Sequence, residues 1–283
     1  MSVRKALLYL YKKFIRIIPY KNKIRSFYPV GLVYKFVISC LRTNFVEVQG
    51  HKMFLDSFDS LNLSIYERYE PKLLEVIEKE IKPGEIVVDL GANIGYYTLI
   101  FARLVGDNGK VYAFEPDPEN FALLKKNVEI NGYKNVVLVQ KAISNQTGKA
   151  KLFLSEENVG DHQIFDSKYG RKSIEIETVT LDEYFKDIVV DFLKIDIQGA
   201  EQAALEGAAK FLQNKKLKII TEFCPNLLNL FGGDAGKYLD IIESNFKMYD
   251  IDGGKNTSKL ELLDQYTVEK ENVTNLFCTR LVN

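Results

Sequence analysis

The chain of 283 residues is 46% hydrophobic and 27% charged, a composition typical of a globular α/β protein with one substantial core. Its 38 Lys and Arg residues equal its 38 Asp and Glu residues, so no bulk positive charge favours nucleic acid as a partner. Cys40, Cys224 and Cys278 stand far apart without a C-x-x-C pair, which argues against a disulfide framework and a structural zinc site.

The basic residues are concentrated at the N-terminus. Residues 1–50 contain ten Lys and Arg and one acidic residue, which leaves 28 basic and 37 acidic residues in the remainder. Residues 3–18 place apolar side chains at helical spacing, and the apolar stretch 27–41 is shorter than the roughly 20 residues that span a bilayer. We expect this segment either to pack on the rest of the protein as helices or, through residues 1–42, to lie on an anionic membrane surface.

This distribution divides the chain into a basic amphipathic segment, 1–50, and an α/β domain, 51–283. The N-terminus lacks the unbroken apolar core and the small-residue cleavage site of a secretory signal. We therefore predict a cytoplasmic protein, with contact to the inner face of the cell membrane as the alternative for its first segment.

The first elements of the domain follow from alternation and from proline. Residues 45–56 alternate around Gly50-His51 and predict a β-hairpin, in which His51 decorates the turn. Pro71 begins a helix that extends to about Lys79 and is stopped by Pro83-Gly84.

The stretch 85–116 predicts a βαβ unit. A β-branched run at 86–88 is typical of a strand buried on both faces, a glycine-punctuated turn at 89–95 opens a helix to about Val105, and a second strand at 110–114 ends at Glu115. Gly91 and Gly95 leave room for a ligand against the backbone, and the helix directs free N–H groups toward it. Glu115 can accept hydrogen bonds from both hydroxyls of an adenosine ribose.

The turn distinguishes between two cofactors of this kind. A dinucleotide site requires G-x-G-x-x-G, whereas Asn93 occupies the second glycine position here and the pattern is D-x-G-x-x-x-G. Asp89 is a poor neighbour for a pyrophosphate but a good partner, directly or through water, for the ammonium group of a bound amino acid. The turn therefore predicts S-adenosylmethionine; an NAD-dependent oxidoreductase and a simple tight turn with a capping Asp are the alternatives.

The remaining pattern continues the α/β alternation. Helices are predicted at 118–130, 197–212 and 236–245, a short helix begins at 181, and strands or extended segments are predicted at 136–139, 148–154, 174–181, 191–196, 218–223, 246–250 and 275–281. A polar loop at 156–162 separates two of them.

Carboxylates at strand ends and one histidine are the catalytic candidates. Asp196 ends a core strand, at the edge where open α/β sheets bind ligands; alternatively it caps the turn at Gln198-Gly199. Glu222 ends the next strand, with a solvent-facing carboxylate as the alternative. His162 lies in the polar loop, where Asp161 could orient its ring.

The segments DLGANIGYYTLIFARLVGDNGKVYAFEPDPENFALLKKNVEING, VQKAIS and FLKIDIQGAE resemble the FkbM family of S-adenosylmethionine-dependent methyltransferases from about Tyr69 to Asp250. The resemblance implies a class I methyltransferase Rossmann-like fold, with a seven-stranded, mostly parallel sheet and helices on both faces. It implies a cofactor site made of Tyr69, Glu70, Asp89, Gly91, Ala92, Asn93, Gly95, Thr98, Glu115, Pro116, Lys141, Ala142, Asp196 and Glu201. For Tyr69 and Glu70 a helix cap with a packed ring is the alternative.

The resulting prediction is an S-adenosylmethionine-dependent O-methyltransferase acting on a hydroxyl of a sugar, glycan precursor or glycolipid. The expected partner is a small-molecule or lipid-linked sugar acceptor, and not nucleic acid, because the N-P-P-[YF] type of motif is absent. A base is expected from His162, Asp196 or Glu222, and no convincing metal-ligand cluster is found. A non-catalytic scaffold is the further alternative, disfavoured by the intact Asp89, Gly91, Gly95 and Glu115.

Overall fold

A computed structural model describes residues 43–66, 68–155, 163–164, 171–270 and 272–281. The predictions for residues 1–42 and for His162 lie outside the described residues. The prediction of a hairpin is confirmed: β1 (Phe45–Val48) pairs antiparallel with β2 (His51–Phe54). Its two turn residues, Gln49 and Gly50, both have positive φ, as a type I′ turn requires.

The elements of the domain alternate along the chain. The first half contains α1 (Pro71–Glu80), β3 (Ile86–Leu90), α2 (Tyr96–Val105), β4 (Lys110–Phe114), α3 (Pro118–Ile130), β5 (Val136–Val139), β6 (Ala142–Ile143), β7 (Gly148–Phe153) and β8 (Ser173–Val179). The second half contains α4 (Leu181–Tyr184), β9 (Phe192–Ile195), α5 (Glu201–Glu206), β10 (Lys218–Phe223), α6 (Pro225–Leu230), α7 (Ala235–Glu243), β11 (Phe246–Asp250), β12 (Lys255–Thr257), α8 (Lys259–Gln265) and β13 (Thr274–Arg280), with a 3₁₀ turn at Phe211–Gln213.

The main sheet has the strand order β12-β11-β13-β10-β9-β3-β4-β5. Strands β5, β4, β3, β9 and β10 pair in parallel, and β13 inserts antiparallel between β10 and β11. This confirms the predicted mostly parallel sheet, which the three-residue β12 extends by an eighth strand. The segments predicted as extended at 148–154 and 174–181 form a separate sheet of order β6-β8-β7.

Two hydrophobic layers enclose the main sheet, because successive side chains of a strand point to opposite faces. Val88 of β3 belongs to the layer shared with α5 and α7, whereas Val87 belongs to the layer shared with α1 and α2. Both are fully buried, as expected for parallel strands covered on both faces. No helix within the described residues is long and apolar enough to cross a membrane.

Two predicted details are corrected by the packing. The helix predicted to follow the turn at 197–201 and to extend to about Leu212 is shorter: α5 ends at Glu206 with Gly207 as its C-cap, and a 3₁₀ turn follows. Gly207 packs against the chain at Ser144, whose carbonyl oxygen would lie 2.4 Å from a β-carbon there. His51 is buried rather than decorating an exposed turn, and its Nε2 lies 2.8 Å from the hydroxyl of Tyr133.

Candidate active site

A cavity of about 290 Å³ opens at the carboxyl ends of β3, β4 and β9, the edge at which open α/β sheets bind ligands. Of the predicted site residues, Tyr69, Gly91, Ala92, Asn93, Glu115, Pro116, Lys141, Ala142 and Asp196 line it. Sequence reasoning did not identify Tyr96, Tyr97, Asn120, Lys194 or Gln198, which also line the cavity.

The glycine turn is shaped by the loop beside it. Gly91 has φ +75°, and a β-carbon there would lie 1.9 Å from the carbonyl oxygen of Asp196. Gly95 has φ +96°, and its β-carbon would lie 2.8 Å from Cδ1 of Leu124. A glycine is thus required at position 91 because the loop after β9 approaches closely, as well as to leave space for a ligand. Gly95 does not line the cavity, and a glycine is required there because α3 packs against it.

Glu115 is positioned by two backbone donors. The N–H of Asn93 donates to Oε2 of Glu115 (2.8 Å) and the N–H of Asp117 donates to Oε1 (2.9 Å). The side chain is buried yet borders the cavity, and burial raises its pKa to about 8 despite these two donors. Each oxygen retains a lone pair, so the carboxylate can receive one hydroxyl of a ribose on each.

Asp89 and Thr98 lie beneath the cavity and do not line it. The hydroxyl of Thr98 donates to Oδ2 of Asp89 (2.6 Å), and both residues are fully buried. Oδ1 of Asp89 has no hydrogen-bond partner and lies 3.7 Å from Nζ of Lys194. The carboxylate of Asp89 therefore faces a lysine of the protein. In this arrangement Asp89 makes no direct contact with the ammonium group of a ligand.

Lys194 is a buried cation in a strand whose other residues are apolar. Its Nζ donates to Oδ2 of Asp196 (3.3 Å) and lies 4.9 Å from the centre of the Tyr97 ring. Burial lowers the pKa of Lys194, but the carboxylates of Asp196, Asp89 and Glu70 outweigh it, and the net shift is upward. The lysine is thus charged. A single charged residue within the apolar run Phe192–Ile195 was the signal that could have identified it.

Asp196 presents its carboxylate to the cavity. Lys194 holds Oδ2, and Nε2 of Gln198 donates to Oδ1 (3.1 Å). The side chain is 30% exposed, so it remains accessible to a ligand. Asp196 does not cap the following helix, whose N-cap is Ala200 without a side-chain hydrogen bond.

Glu201 instead holds the turn after β9. Its Oε1 accepts from the N–H groups of Ile197 (3.0 Å) and Gly199 (3.2 Å). It is buried and does not line the cavity, and burial raises its pKa to about 7. Its place in this structure is therefore to fix the loop that carries Asp196.

Glu222 is half-buried near the end of β10, paired with Asn275 of β13, and does not line the cavity. Burial, followed by the nearby carboxylates of Asp196, Glu201 and Glu70, raises its pKa well above the ordinary value. Of the predicted bases, Asp196 alone lies within the described residues and borders the cavity.

Three neighbouring tyrosines, Tyr69, Tyr96 and Tyr97, form an aromatic wall of the cavity. The ring centres of Tyr69 and Tyr96 are 6.0 Å apart, those of Tyr96 and Tyr97 5.1 Å apart, and the contacts are edge-to-face. Glu70 has φ 44° and occupies the N-cap of α1, but its side chain does not cap the helix. It accepts from the hydroxyl of Tyr97 (2.7 Å) and from Nδ2 of Asn275 (3.1 Å), so Glu70 fixes this tyrosine wall from behind.

The other end of the cavity is a mostly apolar slot. It is lined by Pro116, Asn120, Ala142, Ile143, Leu152 and Ile164. Ala142, Ile143 and Leu152 belong to the three-stranded sheet, and Ile164 follows Gln163, which bridges to Phe153 of that sheet. Lys141 lies at the rim, where its Nζ pairs with Glu177 at 2.8 Å. Glu115 and Pro116 are consecutive, so the carboxylate borders this apolar part of the cavity. The residues present fit a nucleoside: the apolar side chains could hold adenine, and Glu115 could accept hydrogen bonds from the ribose.

Comparison with known proteins identifies the family of the chain. The sequence profile of the methyltransferase FkbM domain matches residues 89–248, more than half of the chain. The chain belongs to the FkbM methyltransferase family. Membership confirms the predicted enzyme class, a methyltransferase, and the predicted cofactor, S-adenosylmethionine. It argues against the alternative prediction of an NAD-dependent oxidoreductase.

Individual relatives match over shorter stretches. A protein-L-isoaspartate O-methyltransferase of Aeropyrum pernix is 40% identical over 68 residues, which cover 24% of this chain and 25% of that protein. The 31-O-demethyl-FK506 methyltransferase FkbM of Streptomyces tacrolimicus is 38% identical over 73 residues, covering 26% and 27%. Each match thus spans about a quarter of the relative's length.

Among solved structures, a methyltransferase FkbM from Methylobacillus flagellatus aligns with 90% of this chain and 60% of its own, at 15% identity and a TM-score of 0.43.

In the described part of the chain no group of three or more His, Cys, Asp and Glu side chains is arranged to hold a metal ion.

Proposed function

We propose that this FkbM-family methyltransferase transfers a methyl group from S-adenosylmethionine to a hydroxyl of a sugar, glycan precursor or glycolipid. The observation that carries the proposal is the carboxylate of Asp196. Two donors orient it, it is partly exposed, and it faces the same cavity as Glu115, the ribose-binding candidate.

When bound, the cofactor supplies a methyl group that is already electrophilic because it is carried by a sulfonium. The chain therefore has to place an oxygen in line with that methyl group, and positioning of this kind can contribute several kcal/mol, up to about 10. Asp196 can accept the proton of the hydroxyl as its oxygen attacks, an effect of about 10²–10⁴ in rate. Glu115, oriented by two backbone N–H groups at the border of the same cavity, would accept the ribose hydroxyls of the cofactor.

The tyrosine wall supports a sugar as acceptor. Tyr69, Tyr96 and Tyr97 contribute aromatic surface to the cavity, and Asp196 and Gln198 contribute hydrogen-bonding groups to the same cavity. A sugar ring has both an apolar face and polar edges, and it matches this combination. The FK506 and isoaspartate methyltransferases named above also support an oxygen as the atom methylated, since both names specify it.

The location of the acceptor is a separate part of the proposal. The basic residues among 1–42 favour a cytoplasmic enzyme that meets a lipid-linked sugar at the inner face of the membrane. Co-sedimentation with vesicles containing anionic lipid, compared between the full chain and a chain lacking residues 1–42, tests this. We expect binding to depend on the segment and to fall with salt; equal sedimentation of both chains would contradict it.

The cofactor and the reaction are tested in two steps. Calorimetry with S-adenosylmethionine, S-adenosylhomocysteine and NAD should show micromolar binding of the first two alone, lost in Glu115→Ala and retained in the control Glu119→Ala, whose side chain is exposed on α3. Radiolabelled methyl transfer to a panel of sugars should then fall about 10²-fold or more in Asp196→Asn with cofactor affinity preserved. Binding of no cofactor would favour the non-catalytic scaffold, and binding without transfer to any sugar would contradict the acceptor class.

A further inference from the structure

Lys194 is the feature of the site that cofactor binding and proton transfer do not by themselves explain. Its side chain is 3% exposed, and burying an ammonium group is unfavourable unless it is paired and hydrogen-bonded. We propose that Lys194 is a positioning residue that holds Asp196 in the orientation in which it takes the acceptor's proton. This inference rests on the proposed function.

The register of the sheet places Lys194 between two carboxylates. Asp89 of β3 and Lys194 of β9 are direct partners in the parallel ladder, so their side chains lie on the same face. Nζ is 3.7 Å from Oδ1 of Asp89 and 3.3 Å from Oδ2 of Asp196. The Tyr97 ring covers it on another side, 4.9 Å away. The ammonium group is therefore confined, and its hydrogen bond to Asp196 has a fixed direction.

Lys194 is the cation within a mostly acidic cluster around Asp196. The titratable groups near Asp196 come from several neighbouring elements: Tyr69 and Glu70 before α1, Asp89 of β3, Tyr97 of α2, Lys194 of β9, Glu201 of α5 and Glu222 of β10. A hydrogen bond from a charged donor is stronger than one from a neutral donor. The ammonium group of Lys194 is therefore a strong donor that fixes the direction of the Asp196 carboxylate within this cluster.

Gln198 and Lys194 both orient the carboxylate of Asp196. Gln198 donates to Oδ1 and Lys194 to Oδ2, which leaves the remaining lone pairs of the carboxylate toward the cavity. The amide of Gln198 is neutral, so its hydrogen bond to Asp196 is weaker than that of the ammonium group. Removal of Lys194 should therefore lower kcat per folded protein without a comparable change in KM, whereas a purely structural residue would change only the amount of active protein.

The test compares Lys194→Met and Lys194→Arg with the control Lys218→Met. Lys218 is a partly buried lysine of β10 that pairs with Glu85 at 3.3 Å, at the opposite edge of the sheet. The measurements are kcat and KM for transfer to the sugar methylated by the wild type, from acid to alkaline pH, and the affinity for S-adenosylhomocysteine by calorimetry.

We expect Lys194→Met to lower kcat by about 10–10², because Asp196 loses the charged donor that orients it. The KM of the acceptor and the affinity for S-adenosylhomocysteine should change less than about threefold, Lys194→Arg should retain most of the rate, and Lys218→Met should match the wild type. An unchanged kcat, a loss confined to KM or cofactor affinity, or a Lys194→Arg variant as slow as Lys194→Met would overturn the inference.

Two additions keep the test decisive. If Lys194→Met does not fold because Asp89 is left as a buried unpaired charge, the double variant Asp89→Asn/Lys194→Met removes that charge and carries the same comparison against Asp89→Asn. If the wild type methylates no sugar, the proposed function fails on its own. The ¹⁵N resonance of the Lys194 ammonium group then tests the contact: it should shift in Asp196→Asn, and an unchanged signal would overturn the inference.

Discussion

The carbonyl oxygen of Asp196 lies where a side chain on Gly91 would have to be, 1.9 Å from its β-carbon position. The turn after β3 and the turn after β9 are thereby in direct backbone contact. The first turn leads to Asn93, which fixes Glu115, and the second carries the carboxylate of Asp196. The cofactor side and the acceptor side of the site are consequently positioned by one shared contact.

Gly91→Ala should therefore abolish binding of S-adenosylhomocysteine and lower the free energy of unfolding by more than strain alone. The matched control is Gly84→Ala, which has a comparable φ of +87° and nothing within 4 Å of its β-carbon position. Backbone strain at either glycine costs about 1–3 kcal/mol, and only Gly91 adds the overlap with Asp196. Urea denaturation and calorimetry check this; equal effects of the two substitutions would contradict it.

Glu115 should make cofactor binding depend on pH. Burial raises its pKa to about 8, and ribose hydroxyls donate better to the ionised form. Binding of S-adenosylhomocysteine near neutral pH should then release up to one proton from Glu115, and affinity should rise as the pH approaches 8. Calorimetry in buffers of different ionisation enthalpy measures the release. Glu115→Gln should remove it, and an unchanged release in that variant would exclude Glu115 as the source.

The same carboxyl should affect the stability of the free protein. Because its pKa is raised on folding, the contribution of Glu115 to stability is complete below about pH 4.5 and is lost as the pH rises through 8. The loss is about 5 kcal/mol at most, from about 1.4 kcal/mol per pKa unit. Denaturation curves should show a corresponding decline that Glu115→Gln reduces, and an identical decline in both proteins would count against the shift.

The buried His51 should make the stability of the protein depend on pH in the opposite direction. Burial, with a smaller contribution from Arg103, lowers its pKa from 6.5 to about 4. A base with a lowered pKa stabilises the fold above pH 6.5, and this stabilisation is lost as the pH falls through 4. The loss in the free energy of unfolding is about 3 kcal/mol. His51→Gln should reduce this loss at acid pH, whereas the control Lys52→Gln, on the exposed side of the same strand, should not. Urea midpoints between these pH values measure it.

Glu201 should behave as a structural carboxylate. One oxygen, Oε1, accepts both N–H groups of the turn after β9, so Glu201→Gln can retain both bonds through its amide oxygen, whereas Glu201→Ala leaves two donors unpaired. We expect Glu201→Ala to lower the free energy of unfolding by about 2–4 kcal/mol and to weaken cofactor binding, and Glu201→Gln to do little. A larger loss of activity than of stability in Glu201→Gln would indicate a direct chemical role.

The parts of the site that could be predicted are those encoded locally. Gly91, Gly95 and Glu115 lie within one βαβ unit, and their spacing along the chain fixes their spacing in the structure. Tyr96 and Tyr97 were indistinguishable from core residues of a helix, because their approach to the cavity depends on how α2 packs. Lys194 was part of an expected strand, and only the register with Asp89 reveals its pairing.

The pairing of strands that are distant along the chain could also not be predicted from the sequence. Alternation predicted the strands at 148–154 and 174–181, but not that β8 would pair with β6 and β7 in a sheet of their own. By contrast, α8 was missed although a local signal exists: Ser258 and Glu261 form a capping box, the S-x-x-E pattern that marks a helix start.

The insertion of β13 between β10 and β11 has a consequence for synthesis of the protein. Strands β10 and β11 are both made before β13, yet neither pairs with the other, and each bonds along this edge to β13 alone. A nascent chain that has not passed residue 280 therefore presents two unpaired strand edges, which are prone to associate with other chains. The ribosome-bound chain should depend on chaperones most strongly over this interval, and it should lose that dependence once β13 has emerged.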